Sequence, residues 1–187
     1  MADNSSFAEK NRMLIGSKYR FFNRADHPSA PDDYPTYYSE LLSLASVSIK
    51  IWDPYFNIGD EDLFTVVPVG VDVIILYTYI TSGSSRNLQP QDVKSRVEPK
   101  LPIGHGTLKV AYLPDNDATL FEKRKWHDRF LIIDDAFYYL IGASLRYQHT
   151  SANCFGIYDL ENHDDIALVK ERFDKILYEV ENKGYVI

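Results

Sequence analysis

The sequence predicts an α/β fold, a mixed β-sheet with helices packed on both of its faces. Segments with the two-residue period of strands alternate along the chain with segments of helical spacing. Residues 71–79 are apolar on both strand faces except at Asp72, as expected of a central strand covered on both sides. Two apolar runs, 130–133 and 137–141, are separated by residues typical of turns, which predicts one antiparallel hairpin within the sheet.

The first half of the chain contains a predicted arm, a helix and a strand. Residues 1–34 are predicted to be a partly ordered N-terminal arm, because they carry five Lys or Arg residues and end in a proline-rich stretch, and residues 35–187 a single domain. A helix is predicted to begin near Asp33, with Pro35 in its first turn. Its apolar positions have helical spacing: Tyr37, Tyr38, Leu41, Leu42 and Leu44. Residues 47–52 follow with the period of a strand.

The second half supplies the remaining elements. After the strand at 71–79, a weak helix is predicted at 90–97 and a strand at 108–113. The hairpin is followed by a shorter strand at 155–160. A closing helix has one apolar stripe, formed by Ile166, Val169, Phe173, Ile176, Leu177 and Val180. Gly184 is placed where a helix end favours positive φ.

Composition limits the classes of function. The chain has 187 residues, of which 45% are hydrophobic and 25% charged, as in ordinary globular proteins. A net charge of −7 disfavours nonspecific attraction to a nucleic-acid backbone. The single cysteine, Cys154, is compatible with a reducing compartment. Residues 1–12 lack the apolar stretch of a signal peptide and no segment reaches a membrane span, so a cytoplasmic protein is expected. No cofactor is predicted, and no metal site, because no Cys/His cluster has ligand spacing.

One segment has the residue types of a reactive site. His127 and Arg129 are two residues apart, so a strand would point both side chains to the same face. An apolar run then leads to Asp134, a turn region at 135–136, and a second apolar run that ends in the small residues 142–144. The pattern predicts a hairpin that carries polar groups at its rims.

This order resembles the HxK(x)4D…GS signature of the phospholipase D superfamily. His127 matches the H, Arg129 stands in place of the K, and Asp134 matches the D. Residues 142–145, Gly-Ala-Ser-Leu, stand where the family has Gly-Ser-x-Asn, and residues 49–56 resemble a first core strand of such domains. The resemblance implies a phospholipase D-like α/β fold. The variant is similar to compact prokaryotic domains, some in mobile-element or defence settings, and more distantly to a noncatalytic domain of eukaryotic trafficking proteins.

The resemblance also implies a mechanism, that of a metal-independent phosphodiesterase. His127 would attack phosphorus to form a phosphohistidine, and a second histidine would protonate the leaving oxygen. Arg129 would hold phosphate oxygens, Asp134 would orient the site and Ser144 could donate to a phosphate oxygen. The superfamily uses two copies of the motif and this chain has one, so the implied site is shared across a homodimer.

Three further residues are candidate substrate contacts. Asp53 ends a predicted strand, where sites in open α/β sheets gather, or it caps the following turn. Lys125 belongs to the basic run 123–125, which attracts an anionic ligand or is simply solvated. Arg86 lies in a Ser- and Gly-rich loop that is either a lid over the site or an ordinary connection.

The motif residues can also be explained by structural roles alone. His127 could be satisfied by Asp128 or Asp134, with Arg129 as a surface ion-pair partner. Asp134 suits a turn, and Ser144 suits close packing at a strand end. Two functions therefore stay open: a phosphodiesterase that is nuclease-like rather than lipase-like, or a catalytically silent module that binds a phosphate-containing ligand, such as nucleic acid, or a partner protein.

Overall fold

The structure, a computed structural model, describes residues 19–23, 33–54, 56, 61–79, 89–120, 128–142 and 154–187. Within these ranges, seven strands form one sheet: β1 (Tyr19–Asn23), β2 (Ser48–Trp52), β3 (Asp72–Tyr79), β4 (Leu108–Pro114), β5 (Arg129–Ile133), β6 (Phe137–Ile141) and β7 (Cys154–Asp159). The α-helices in this part of the chain are α1 (Asp33–Ser43), α2 (Pro90–Val97) and α3 (His163–Asn182). Short 3₁₀ helices cover Glu61–Val66, Glu98–Lys100 and Ala118–Leu120.

The sheet is mixed, as the sequence predicts. Its strand order is β1-β7-β6-β5-β2-β3-β4. β2, β3 and β4 are parallel, whereas β5, β6, β7 and β1 pair antiparallel, beginning with β5 against β2. The predicted hairpin is β5–β6. β2 therefore lies at the junction between the parallel and antiparallel halves.

Helices cover both faces of the sheet, which confirms the predicted layers. On one face, α1, α2 and the 3₁₀ helix Glu61–Val66 pack on a buried cluster that includes Ile51, Ile75 and Leu131. On the other face, α3 packs on a cluster that includes Trp52 and Phe130. The buried side chains of α3 are Val169, Phe173, Ile176 and Val180. Of the helices in the described ranges, none is long and apolar enough to cross a membrane.

Both ends of α3 follow the sequence signals. The side chain of Asn162 accepts a hydrogen bond from the Asp164 N–H at 2.8 Å, as a helix N-cap does. At the other end, Gly184 has a φ of 72°. After it, the Tyr185 N–H donates to the Val180 carbonyl at 2.8 Å. The chain thus leaves the helix where the sequence predicts.

Two β pairings were not foreseen. β1 lies within the segment 1–34 that the sequence predicts to be an arm, and it pairs with β7 as an edge strand. The division at residues 34 and 35 stays a prediction. At the opposite edge, the Val110 and Ile187 backbones exchange two hydrogen bonds of 3.0 Å, so the last residues cover part of β4. Both pairings join segments distant in sequence, which local patterns do not reveal.

The hairpin turn lies one residue earlier than predicted. Asp134 and Asp135 have φ values of 56° and 52°, and the Ala136 N–H donates to the Ile133 carbonyl at 3.0 Å. The central residues are therefore Asp134–Asp135, not Asp135–Ala136. Positive φ at both central residues is the type I′ arrangement, in which aspartate is tolerated better than most side chains.

The Asp134 carboxylate connects this turn to the loop before β2. It accepts hydrogen bonds from the backbone N–H groups of Ser46, Val47 and Ser48, at 2.8 to 3.1 Å. The Asp134 N–H donates in turn to the Ser48 carbonyl at 2.8 Å. Asp134 therefore fixes the start of β2 against the end of β5.

We predict that Asp134→Ala lowers the free energy of unfolding by about 2 kcal/mol or more, because three amide groups lose an anionic acceptor. Asp134→Asn is the matched control, since its amide oxygen still accepts and asparagine tolerates positive φ. Asp134→Asn should lower the free energy of unfolding clearly less than Asp134→Ala does. Denaturant titration of the three proteins measures both changes. An Asp134→Ala variant as stable as the wild type would contradict this role.

Candidate functional site

Arg129 opens β5 at the sheet edge where β2 ends, because the two strands are antiparallel. Trp52 pairs with Phe130 in their register. One further step of the same register sets Asp53 directly opposite Arg129. Side chains opposed in this way have Cβ atoms about 5 Å apart. The sheet itself thus brings together two residues from distant parts of the chain.

Asp53 and Arg129 form an ion pair that is largely out of solvent. The Arg129 Nε atom lies 3.4 Å from the Asp53 Oδ1 atom, and their side chains are 20% and 4% exposed. Asp53 is the one buried polar or charged residue among those the structure describes. A carboxylate removed from water is costly unless a cation compensates it. The guanidinium of Arg129 supplies that compensation.

Backbone hydrogen bonds hold Asp53 in place. Its N–H donates to the Leu76 carbonyl of β3 at 3.0 Å, and its own carbonyl accepts from the Phe56 N–H at 2.9 Å. The Pro54 carbonyl accepts from the Thr78 N–H at 3.2 Å. The end of β2 is therefore anchored to β3, so the carboxylate belongs to the rigid sheet.

A small pocket opens beside the ion pair. Its empty volume, including the part open to solvent, is about 200 Å³. Its lining comes from α1, β2, β5 and β6, through Tyr38, Ile51, Trp52, Asp53, Arg129, Phe130 and Ile141. Burial raises the pKa of the Tyr38 phenol, and the negative charge of Asp53 raises it further. Tyr38 therefore presents a neutral hydroxyl next to a charged pair.

Tyr38 was missed as a site residue, because its helical spacing predicts a place in the core, which it also has. Asp53 was predicted as a substrate contact, but its pairing with Arg129 was not foreseen. A carboxylate that closes an apolar strand directly before a proline is the signal available in the sequence. Arg129 is not a surface ion-pair partner, since its counter-ion is buried.

Asp134 lies at the other end of the same hairpin. A strand rises about 3.3 Å per residue, so five residues place Asp134 roughly 17 Å from Arg129. Its carboxylate binds the backbone before β2. The structure therefore does not bring Asp134 to the pocket, and any effect on the site passes through the positions of β2 and β5.

The other candidates lie outside the described residues: His127, Lys125, Arg86 and Ser144. Within the described ranges, no group of His, Cys, Asp and Glu side chains has an arrangement suited to a metal ion.

We predict that Arg129→Met, which keeps an aliphatic stem, lowers the free energy of unfolding by about 3 kcal/mol, because it leaves Asp53 buried without its counter-ion. Adding Asp53→Asn should recover much of the loss. Lys183→Ala is the matched control, because it breaks an ion pair with Asp117 whose side chains, 35% and 12% exposed, are less buried than those of Arg129 and Asp53. Lys183→Ala should lower the free energy of unfolding less than Arg129→Met does. Denaturant titration that shows equal losses for Arg129→Met and Lys183→Ala would contradict the buried pair.

Comparison with known proteins supports the fold through structure rather than sequence. No family model matches the chain, and no curated protein matches it. NucT from Helicobacter pylori, of the phospholipase D family, matches with a TM-score of 0.58 at 19% identity, over 87% of this chain and 96% of that chain.

Two further structures match with lower scores. TrmBL2, an archaeal chromatin protein, has a TM-score of 0.46 and 17% identity, over 94% of this chain and 60% of its own. Nuc from Salmonella typhimurium, a phospholipase D family member, has a TM-score of 0.42 and 12% identity, over 78% of this chain and 86% of its own. The match to NucT, together with the mixed sheet and its two helical layers, confirms the predicted fold. The chain has the phospholipase D-like fold.

Proposed function

We propose that this protein is a phospholipase D-like phosphodiesterase, nuclease-like in its substrate, with its site in the pocket beside Arg129. The observation that carries the proposal is the placement of the Arg129 guanidinium, held by the sheet next to a pocket and two residues from His127 in sequence. The motif around it resembles the superfamily signature. NucT, a nuclease of that family, has the same fold.

The proposed reaction has two steps. The His127 imidazole attacks phosphorus, the bond to the leaving oxygen breaks, and the histidine of a second motif protonates that oxygen. Water then attacks the phosphohistidine and restores the imidazole. Arg129 and Ser144 would hold the nonbridging oxygens, while Lys125 and Arg86 would contact more distant phosphates. Asp134 would support the site indirectly, through the β2–β5 pairing.

The sequence carries one copy of the motif, and the proposed mechanism needs two histidines. A symmetric homodimer supplies the second, with the two pockets facing each other across the two-fold axis. Each His127 would then act as nucleophile or acid, depending on how the substrate is bound. Cationic side chains would do what a metal does in other phosphodiesterases, so we propose a metal-independent reaction.

A catalytically silent module is the second candidate, and one observation favours it. The charge of Arg129 is already compensated by Asp53 at 3.4 Å, so the pair offers a phosphate less attraction than an uncompensated cation would. A bidentate guanidinium can still bind an anion in this state. Such a module would bind a phosphate-containing ligand or a partner protein without turnover.

We expect the wild type to hydrolyse bis(p-nitrophenyl) phosphate in the presence of EDTA, and His127→Ala to abolish the release of p-nitrophenol because the nucleophile is lost. Arg129→Lys restores the family's ammonium and should preserve or raise the rate. Asp117→Asn, at the far side of β3 from Arg129, serves as the control with an unchanged rate. Hydrolysis that survives His127→Ala would refute the site assignment, and a wild type that binds the ester without hydrolysing it would favour the module.

The shared site is tested by mixing protomers. When wild type and His127→Ala are refolded together at constant total protein, mixed dimers contain one histidine instead of two, and we expect activity to fall with the square of the wild-type fraction. Refolding with Asp117→Asn should leave total activity unchanged. A linear fall with His127→Ala, or a monomeric mass in light scattering of the active protein, would contradict a shared site.

A further inference from the structure

We propose that Asp53 makes the Arg129 site selective for phosphodiesters, which carry one negative charge, against phosphomonoesters, which carry two. This inference rests on the proposed function, because it assigns a selectivity to that same pocket. Asp53 would act as a specificity-determining residue, through its charge and its pairing with Arg129, and not as a substrate contact.

The geometry gives Asp53 a fixed place in the pocket lining, less exposed than its partner Arg129. Its side chain is 4% exposed, whereas that of Arg129 is 20% exposed. Hydrogen bonds to Leu76 and from Phe56 hold its backbone at both sides. An anion entering the pocket thus meets the more exposed guanidinium, with the carboxylate next to it.

Charge decides what this arrangement attracts. An isolated guanidinium draws a dianion more strongly than a monoanion, since each added charge on the ligand gains attraction. With Asp53 a few ångströms away, the second negative charge of the ligand is attracted by the guanidinium and repelled by the carboxylate to a similar extent. The bidentate hydrogen bonds of the guanidinium, which depend little on that second charge, remain. The pair therefore keeps its recognition of a phosphate group but loses the preference for a dianion.

The ligand supplies the pH dependence. A phosphomonoester loses its second proton at about pH 6 and becomes a dianion, whereas a diester stays a monoanion. The titratable groups that the structure sets against Asp53 include the Tyr38 phenol from α1 and the Arg129 guanidinium from β5. Burial and the charge of Asp53 raise the pKa of Tyr38, so the phenol stays neutral in this range.

The selectivity has a consequence for turnover. Hydrolysis of a terminal diester turns a monoanionic substrate into an alcohol and a monoester that becomes a dianion near neutral pH. A site with an uncompensated cation would retain this product. The Asp53–Arg129 pair would release it, so that diesters compete successfully for the pocket.

The test compares diphenyl phosphate and phenyl phosphate, a diester and a monoester with the same aryl group, by calorimetry on the full chain at about pH 5 and about pH 8. The measured quantity is the ratio of their two affinities. In Asp53→Asn we expect this ratio to shift toward phenyl phosphate on the order of tenfold at the higher pH, because the second charge then meets an uncompensated guanidinium. At the lower pH both ligands are monoanions, so the ratio should match that of the wild type.

Two controls separate charge from structure. Asp53→Glu keeps the carboxylate and should keep the wild-type ratio at both pH values, which also protects the test if Asp53→Asn fails to fold. Asp117→Asn removes a carboxylate from another ion pair and should leave the ratio unchanged. If the wild type binds both esters, two results would overturn this inference and leave the proposed function intact. One is an affinity ratio that Asp53→Asn does not shift, and the other is an affinity ratio that Asp53→Glu shifts. A wild type that binds neither ester at the lower pH would overturn both.

Discussion

The antiparallel pairing of β2 with β5 is the constraint on which the rest of the structure depends. It joins the parallel half of the sheet to the antiparallel half, and its register sets Ile49 opposite Ile133 and Trp52 opposite Phe130. Buried side chains on both faces fix that register, since a slip of one residue would move every side chain to the wrong face. Asp134 secures one end of the pairing through backbone amides. The ion pair of Asp53 with Arg129 secures the other end.

The two ends of this pairing have different chemistry. At the Asp134 end, the carboxylate of a half-buried aspartate binds backbone N–H groups, an arrangement that stabilises a turn and needs no ligand. At the Asp53 end, a buried carboxylate and a partly exposed guanidinium lie beside a pocket. A buried ion pair is an expensive way to stabilise a fold, because apolar residues of the same size usually do as well. Its position beside the pocket agrees with the proposed role of the guanidinium in binding an anion.

The sequence predicts the layers of this fold well and its distant pairings poorly. The helices α1, α2 and α3 and most strands follow from apolar spacing, because each of these elements buries one stripe or two faces against the sheet. β1 and the pairing of Ile187 with Val110 depend on partners far away in sequence. The same limit applies to the site. His127 and Arg129 are recognisable as a local motif, whereas the partnership of Arg129 with Asp53 exists only once β2 and β5 are in register.

The central claim is that His127 becomes covalently attached to phosphorus, and mass spectrometry tests it most directly. The protein is incubated with a phosphodiester, quenched in base to preserve phosphoramidates, and digested. The account predicts that the peptide containing His127 gains the mass of the phosphoryl group with its one remaining ester substituent. A protein that hydrolyses the diester while His127 stays unmodified, or while another residue carries the adduct, would contradict it.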